Sequence, residues 1–408
     1  FAPGAAIGPD DYIVVAKDPN LLVTVYDHLI PGNNLLGPYT GSLDDHSERI
    51  RLAYPLEETD PNTGETRLRM IIADEVTYFD GGRWPTWADG QGASLELRDP
   101  YSHNNTPDAW ADSDESNKAP WERFSFTINS SDRDYTHDQI RVFDLMLLNR
   151  GEMLLDDLEL RVNNANRLSN AGFESGTSSW RRLGNHVQSL VTTTEAHSGS
   201  RSLHVIATGH GDPGANRINQ TISPVNAGTV TFRGWARWLR GTRHLLLRTT
   251  RDRTPVQPPR PSHAFELNMP LNLGTPGQPN TAWTPNRGPD IADVQHSPTL
   301  PGAGEPIAVS ARITDSDQIS LVMLMYRSEG TSQFTSVPML DNGIGPDLIA
   351  EDGIYAAMIP GATGGSMRAF YIEAYDGPAV TRFPSILQAS ADVPNRTCLV
   401  RVGDRTVS

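Results

Sequence analysis

Short runs of alternating apolar and polar residues, closed by glycine, proline, asparagine and aspartate, recur along the whole chain, and no stretch shows a convincing amphipathic helix. In the first hundred residues the runs are YIVVAKD, ERIRLAY, RLRMIIADEVTYF and ASLELRD, separated by PGNN, DPNTG and DGG. A period of two places side chains on opposite faces of a strand, and the separators supply the φ values that tight turns need. With 35 glycines and 31 prolines among 408 residues, breaks are frequent and the apolar stretches between them stay short. The chain is therefore predicted all-β, a succession of β-sandwich modules, and at roughly 100–200 residues per domain it holds two to four domains.

The first β domain occupies residues 1–112 and runs out in the polar stretch SHNNTPDAWADSDESNKAP. Residues 113–162 add three strands, WERFSFTIN, QIRVFDLMLL and EMLLDDLELRV, and read as a partial module. A further unit at 163–250 opens with LSNAGFESGTSSWRRLG, and its strand lengths and spacing suggest two antiparallel sheets. Residues 251–289 are so rich in proline that a sheet interior is excluded, which leaves an extended connector lying on its neighbours. From 290 to 408, about seven strands in about 110 residues match an immunoglobulin-like or fibronectin-like sandwich.

The formal net charge of −15 repels nucleic acid and anionic membrane surfaces, so phosphate-backbone binding is excluded as a main activity. Cys398 is the single cysteine, which leaves core packing to hold the folds and rules out thiolate metal clusters. No run approaches the ~18 apolar residues of a spanning helix, and no leader-like segment is seen at Phe1.

Catalytic patterns are not found: there is no G-x-S-x-G, P-loop, H-E-x-x-H or C-x-x-C. His186, His197, His204 and His210 share one module, with a scatter from which no ligand geometry follows. Asp156 and Asp157 are adjacent on a strand, so alternation turns them to opposite faces and denies them a shared substrate. In DNGIGPDLIAEDGIY, oxygen donors Asp341, Asn342, Asp347, Glu351 and Asp352 lie on a glycine-rich loop, as calcium requires, with a spacing unlike the EF-hand. The same side chains also cap turns without any ion, and both readings stay open.

Trp180, Trp235, Trp238 and Trp283 are candidates to stack on pyranose faces, with Arg237, Arg240 and Arg243 to bond hydroxyls; core packing is the alternative use of each ring. In FRGWARWLRG, alternation puts Phe232 and Gly234 on one face and Trp235 and Arg237 on the other, and Trp238 falls back on the first. One tryptophan is then core and the other outward. Arg233, Arg237, Arg240, Arg243, Arg248, Arg251 and Arg253 form a basic stretch, either a solvated face or a seam for an acidic partner. In DGGRWPTWADGQGASLELRDP, DGG and ADGQG are hairpin punctuation, one tryptophan covers the open end of a sandwich, and Leu95 and Leu97 turn into the core.

Three resemblances attach to these residues. IGPDDYIVVAKDP, GPYTGSLDDHSERIRL and DEVTYFDGGRWPTWADGQGASLELRDP resemble the bacterial lamin-tail domain, an immunoglobulin-like β fold, with its opening strands expected before Phe1. NAGFESGTSSWRRLGNH and HSGSRSLHVIATG are similar to the start of galactose-binding-like jelly rolls in carbohydrate-binding modules, and GEMLLDDLELRV to the closing strand of such a module. That likeness implies a calcium ion between Glu174 and Asp156 or Asp157. DIADVQHSPTLPGAGEPIAVSARITD and MLDNGIGPDLIAEDGIYAAMIPG resemble the immunoglobulin-like domain found ahead of spore-coat-kinase-like domains in exported proteins of planctomycete-like bacteria. Together they imply a non-catalytic structural or adhesive part of an extracellular or cell-surface assembly, in the form of a filament or envelope layer. The alternative is a polysaccharide-binding region of a larger secreted enzyme. Expected partners are other copies or other surface proteins, joined by strand donation at an open sheet edge.

Overall fold

Alternation becomes strand pairing: 46% of the described residues lie in strands and 3% in helix, in several separate sheets, as expected of successive β-sandwich modules. The computed structural model describes residues 7–128, 139–226, 228–250, 262–385 and 396–404. No helix among them is long and apolar enough to cross a membrane. The α-helix Pro19–Leu22 is a single turn, opened by Asp18, whose carboxylate accepts the Leu21 N–H at 3.1 Å. The chain divides into two compact units, one of Phe1–Ser42, Thr86–Ser94 and Asp112–Gln278, the other of Leu43–Pro85, Leu95–Ala111 and Pro279–Ser408, so residues 1–112 contribute to both.

The first unit is a two-sheet sandwich. One sheet runs in the order Leu190–Thr192, Ser202–Ala207, Gly151–Val162, Val230–Gly241, Glu122–Ile128, with Ala165–Asn166 also paired to Gly151–Val162. The other runs Arg181–Leu183, Arg217–Asn226, Gln139–Leu147, His244–Thr250, Ser262–Glu266. Inward residues of both meet in one core, among them Phe143, Leu145, Ile218 and Leu247 from the second sheet and Met153, Leu155, Leu203, Phe232 and Trp238 from the first. A boundary at residue 162 does not exist in these sheets. Gly151–Val162 is hydrogen-bonded between Ser202–Ala207 and Val230–Gly241, and Gln139–Leu147 between Arg217–Asn226 and His244–Thr250. A half module leaves an apolar face in water, and the two segments remove that cost by interleaving.

The proline-rich connector also contains order. Ser262–Glu266, SHAFE, has no proline and pairs with His244–Thr250 at the sheet edge, while residues 251–261, Arg251 and Arg253 among them, lie outside the described residues. A smaller cluster, Ala16, Leu29 and Leu35, packs under the parallel pair Val14–Val15 and Leu35–Leu36.

In the second unit, a three-stranded sheet of Asp290–Ser297, Ile307–Thr314 and Ile354–Ile359 accompanies a five-stranded sheet. The latter runs Thr335–Pro338, Leu321–Ser328, Met367–Asp376, Ala379–Phe383, with Cys398–Arg401 also on Met367–Asp376. Ile307, Val309, Ile313, Leu324, Phe370 and Ile372 form its core. The same unit carries a long hairpin, Ser47–Thr59 against Thr66–Phe79, in which most residues of both strands are exposed. Its base is fixed by Asn105, whose side chain accepts the Thr77 N–H at 2.8 Å, and by Phe79 against Trp84 and Trp84 against Trp110.

Candidate functional site

Between its pairings with Arg233 and Trp235, the Gly151–Val162 strand carries one residue too many: Glu159 faces Arg233 and Asp156 faces Trp235, so Asp157 and Leu158 share Gly234. This is a β-bulge, and Asp157 absorbs it at φ 49°, a left-handed conformation that aspartate tolerates better than most residues. Gly234 is required opposite it, since a Cβ there would lie 2.7 Å from both Leu158 Cδ2 and Phe124 Cζ.

The bulge overturns the expectation that Asp156 and Asp157 point apart, because both reach the same turn. Asp156 Oδ2 accepts the N–H groups of His197 and Ser198 at 2.9 and 3.0 Å, and its Oδ1 accepts the Asp157 N–H at 2.7 Å. Asp157 bonds His197 Nδ1 through Oδ2 and accepts the Ser198 hydroxyl through Oδ1, each at 2.7 Å. Two residues on, Glu174 accepts the N–H groups of Ser200 and Arg201 at 2.9 and 3.1 Å and the Ser200 hydroxyl at 2.8 Å. The turn HSGSR is thus held by three carboxylates. Burial pushes the Asp156 carboxyl up, against the backbone N–H groups that pull it down. The Ser200 N–H holds Glu174 below the ordinary carboxylate range.

Fixing the turn fixes the ring it carries. His197 stacks on Trp235 with centroids 3.9 Å apart and planes at 16°, and Trp121 meets the same imidazole edge-on at 5.8 Å. Trp121, His197 and Trp235 are half-buried and form an aromatic platform on the outer side of the sheet. Beside it Arg237 is buried, ion-paired with Glu195 and donating to the Ser116 carbonyl at 2.6 Å. Its guanidinium is pushed down by burial.

The other sugar-stacking candidates fall elsewhere. Trp180 and Trp238 are buried in the sandwich core, Trp180 against Phe143 and Phe173, so no pyranose reaches either ring. Trp238 leans on Gly92, where a Cβ would sit 2.8 Å from the indole. Trp283 is 55% exposed. Trp84 and Trp87 are both buried; the guanidinium groups of Arg150 and Arg240 lie over the Trp87 ring, 4.3 and 4.6 Å from its centroid.

The basic stretch finds its carboxylates within its own unit: Arg233 with Glu159, Arg240 with Glu152, Arg243 with Glu266 and Arg248 with Asp144. The four histidines are not brought together as a metal group. His186 is buried and accepts the Leu147 N–H at 2.9 Å, His204 bonds Glu152 at 2.8 Å, and His197 serves the platform. Platform membership of Trp121 and His197 has no sequence signal, because they lie 114 and 38 residues from Trp235 and are brought to it by the fold, His197 stacking on Trp235 and Trp121 meeting His197.

In the second unit, carboxylate oxygens of Asp341, Asp347 and Asp352 lie within 4.8 Å of one another. Each also caps backbone: Asp347 accepts the N–H groups of Asn342 and Gly343 at 2.5 Å, Asp341 that of Gly353 at 2.9 Å, and Asp352 that of Ile354 at 2.9 Å. Asn342 accepts the Ile344 N–H at 3.0 Å, and Glu351 takes φ 60°. Asp315, Asp317 and Asp376 form a second group of this kind that the sequence analysis did not single out. Among the described residues, Glu174 with Asp156 and Asp157 is not such a group: Glu174 holds Ser200 and Arg201, while the two aspartates hold His197 and Ser198.

No protein-family model matches the chain. No curated protein matches it either. Among solved structures, it is similar to a DUF4785 family protein from Legionella pneumophila subsp. pneumophila str. Philadelphia 1, with a TM-score of 0.17 and 7% identity over 70% of this chain. The match spans 60% of that chain.

Proposed function

We propose that this chain is a non-catalytic structural and adhesive part of an exported or cell-surface assembly that associates with other copies of itself. What carries this reading is the use to which its carboxylates are put. Asp156, Asp157, Glu174, Asp341 and Asp347 each hold a turn by accepting backbone or hydroxyl hydrogens, the work of fasteners between strands. The expected finding is the native protein in envelope or extracellular fractions as an assembly; recovery as a dispersed intracellular monomer would overturn it.

A second reading, polysaccharide binding, is favoured by the Trp121, His197 and Trp235 platform, since a half-buried indole offers an apolar face to a sugar ring. On a glycan array, binding that Trp235→Ala abolishes supports it, and silence from the native chain removes it. Structural calcium goes with the first reading, at Asp341, Asp347 and Asp352, where three oxygens converge on a glycine-rich loop.

A further inference from the structure

The exposed hairpin has the composition of a buried sheet. Tyr54 and Leu56 are 51% and 49% exposed on one strand, Leu68, Met70 and Ile72 are 69%, 60% and 47% exposed on the other, and Ile50 and Leu52 extend the apolar surface. By the alternation of paired residues, Leu52, Tyr54 and Leu56 lie on one face, while Leu68, Met70 and Ile72 lie on the other with Ala53 and Pro55. Both faces of the arm are therefore apolar, and two strands alone are marginal in water whereas three or more are not. A monomer has no reason to keep such an arm in solvent.

Away from the base, where Asn105 takes the Thr77 N–H, the two edges of the hairpin pair with no further strand among the described residues, and they differ. Pro55, paired with Met70, has no N–H to offer, so the Ser47–Thr59 edge is blunted in the way edge strands are protected from pairing. The Thr66–Phe79 edge has no proline. Its charges are ordered: Arg67 and Arg69 precede the apolar block Met70, Ile71, Ile72, and Asp74 and Glu75 follow it. Such a strand is complementary to itself in the antiparallel sense, because turning it end for end about the block sets its basic half beside the acidic half of the original. The arm already pairs by this rule: Arg51 meets Glu75 at 2.7 Å and Arg69 meets Glu58 at 3.8 Å.

We propose that the outer part of the Thr66–Phe79 strand, from Thr66 to Glu75, is a homotypic docking edge, on which the same segment of a second copy adds antiparallel about Met70–Ile72 to give a four-stranded sheet. The proposal rests on the self-associating reading above and names its contact. Signs of charge then alternate across all four strands at each end of the new sheet, from Glu57 and Glu58 to Arg67 and Arg69, then to the second copy's acidic and basic pairs. Like-charge contact at such positions would oppose pairing, so the order of charges selects the antiparallel arrangement of two identical strands over the parallel one.

Sedimentation velocity of the full chain at micromolar concentration should show a dimer or larger species. Met70→Lys, which puts a charge at the new seam, should shift it to monomer. In a Cys398→Ser background, Met70→Cys, Ile71→Cys and Ile72→Cys should include at least one chain that oxidises to a covalent dimer, whereas Leu321→Cys, exposed on the unit's five-stranded sheet, should not. An oligomer that Met70→Lys leaves intact and none of the three cysteines cross-links overturns the docking edge while leaving the self-associating reading standing. A chain monomeric throughout overturns both, and points to an unlike strand as the arm's occupant.

Discussion

Asp157 shows how much one residue can change. Its left-handed φ makes the bulge that turns two carboxylates onto the His197–Ser198 turn, where simple alternation would separate them. Asp156 is buried with all its bonds to N–H groups, so Asp156→Ala strands those donors and should cost about 2–4 kcal/mol, while Asp156→Asn, which keeps an acceptor, should cost clearly less. Urea unfolding with an unchanged slope would check both values.

His186 makes a different prediction at the same scale. Burial lowers its imidazole to about 4, and its Nε2 accepts the Leu147 N–H, so the fold holds the neutral form. The unfolded chain, near 6.5, takes up the proton first. Stability from this group is complete above about pH 6.5, is lost as pH falls, and is gone near pH 4, a total of about 3 kcal/mol. His186→Gln, able to accept the same N–H, should flatten that part of the stability profile; a profile of unchanged slope would refute the assignment.

At the scale of elements, Val230–Gly241 is the clearest case of a strand legible in advance. Alternation assigned Phe232 and Trp238 to one face and Trp235 to the other, and the first two are buried while Trp235 is partly open. Trp238→Ala should therefore cost about 3–5 kcal/mol, as a large core ring does. Trp235→Ala should cost far less, and thermal melts of the pair would test the contrast. The long hairpin was legible as two strands, but not as an unpartnered arm: alternation says which residues share a face and is silent on whether anything covers it. The same limit explains the even division of 113–162 from 163–250, since a strand's sequence does not name its neighbour.

For the whole molecule, the net charge of −15 and the acidic loop of the second unit lead to a test with calcium. An ion held by Asp341, Asp347 and Asp352 binds the folded chain alone, so at about 100 times its Kd it should add about 2.7 kcal/mol of stability and raise the melting temperature. Asp347→Asn should abolish the shift and Glu174→Gln should not. An equal rise in both variants would place the ion elsewhere.

Local periodicity and turn chemistry determined by themselves that this protein is all-β, that Trp235 and Trp238 lie on opposite faces of one strand, and that Asp341, Asp347 and Asp352 share a loop, because each depends on residues close along the chain. The tertiary structure alone decided that Gly151–Val162 lies between Ser202–Ala207 and Val230–Gly241, that His197 lies on Trp235, and that, among the described residues, Thr66–Phe79 pairs with no strand other than Ser47–Thr59. Those outcomes depend on which strands pair across tens of residues, and pairing is set by the closure of apolar faces against one another in the folded molecule.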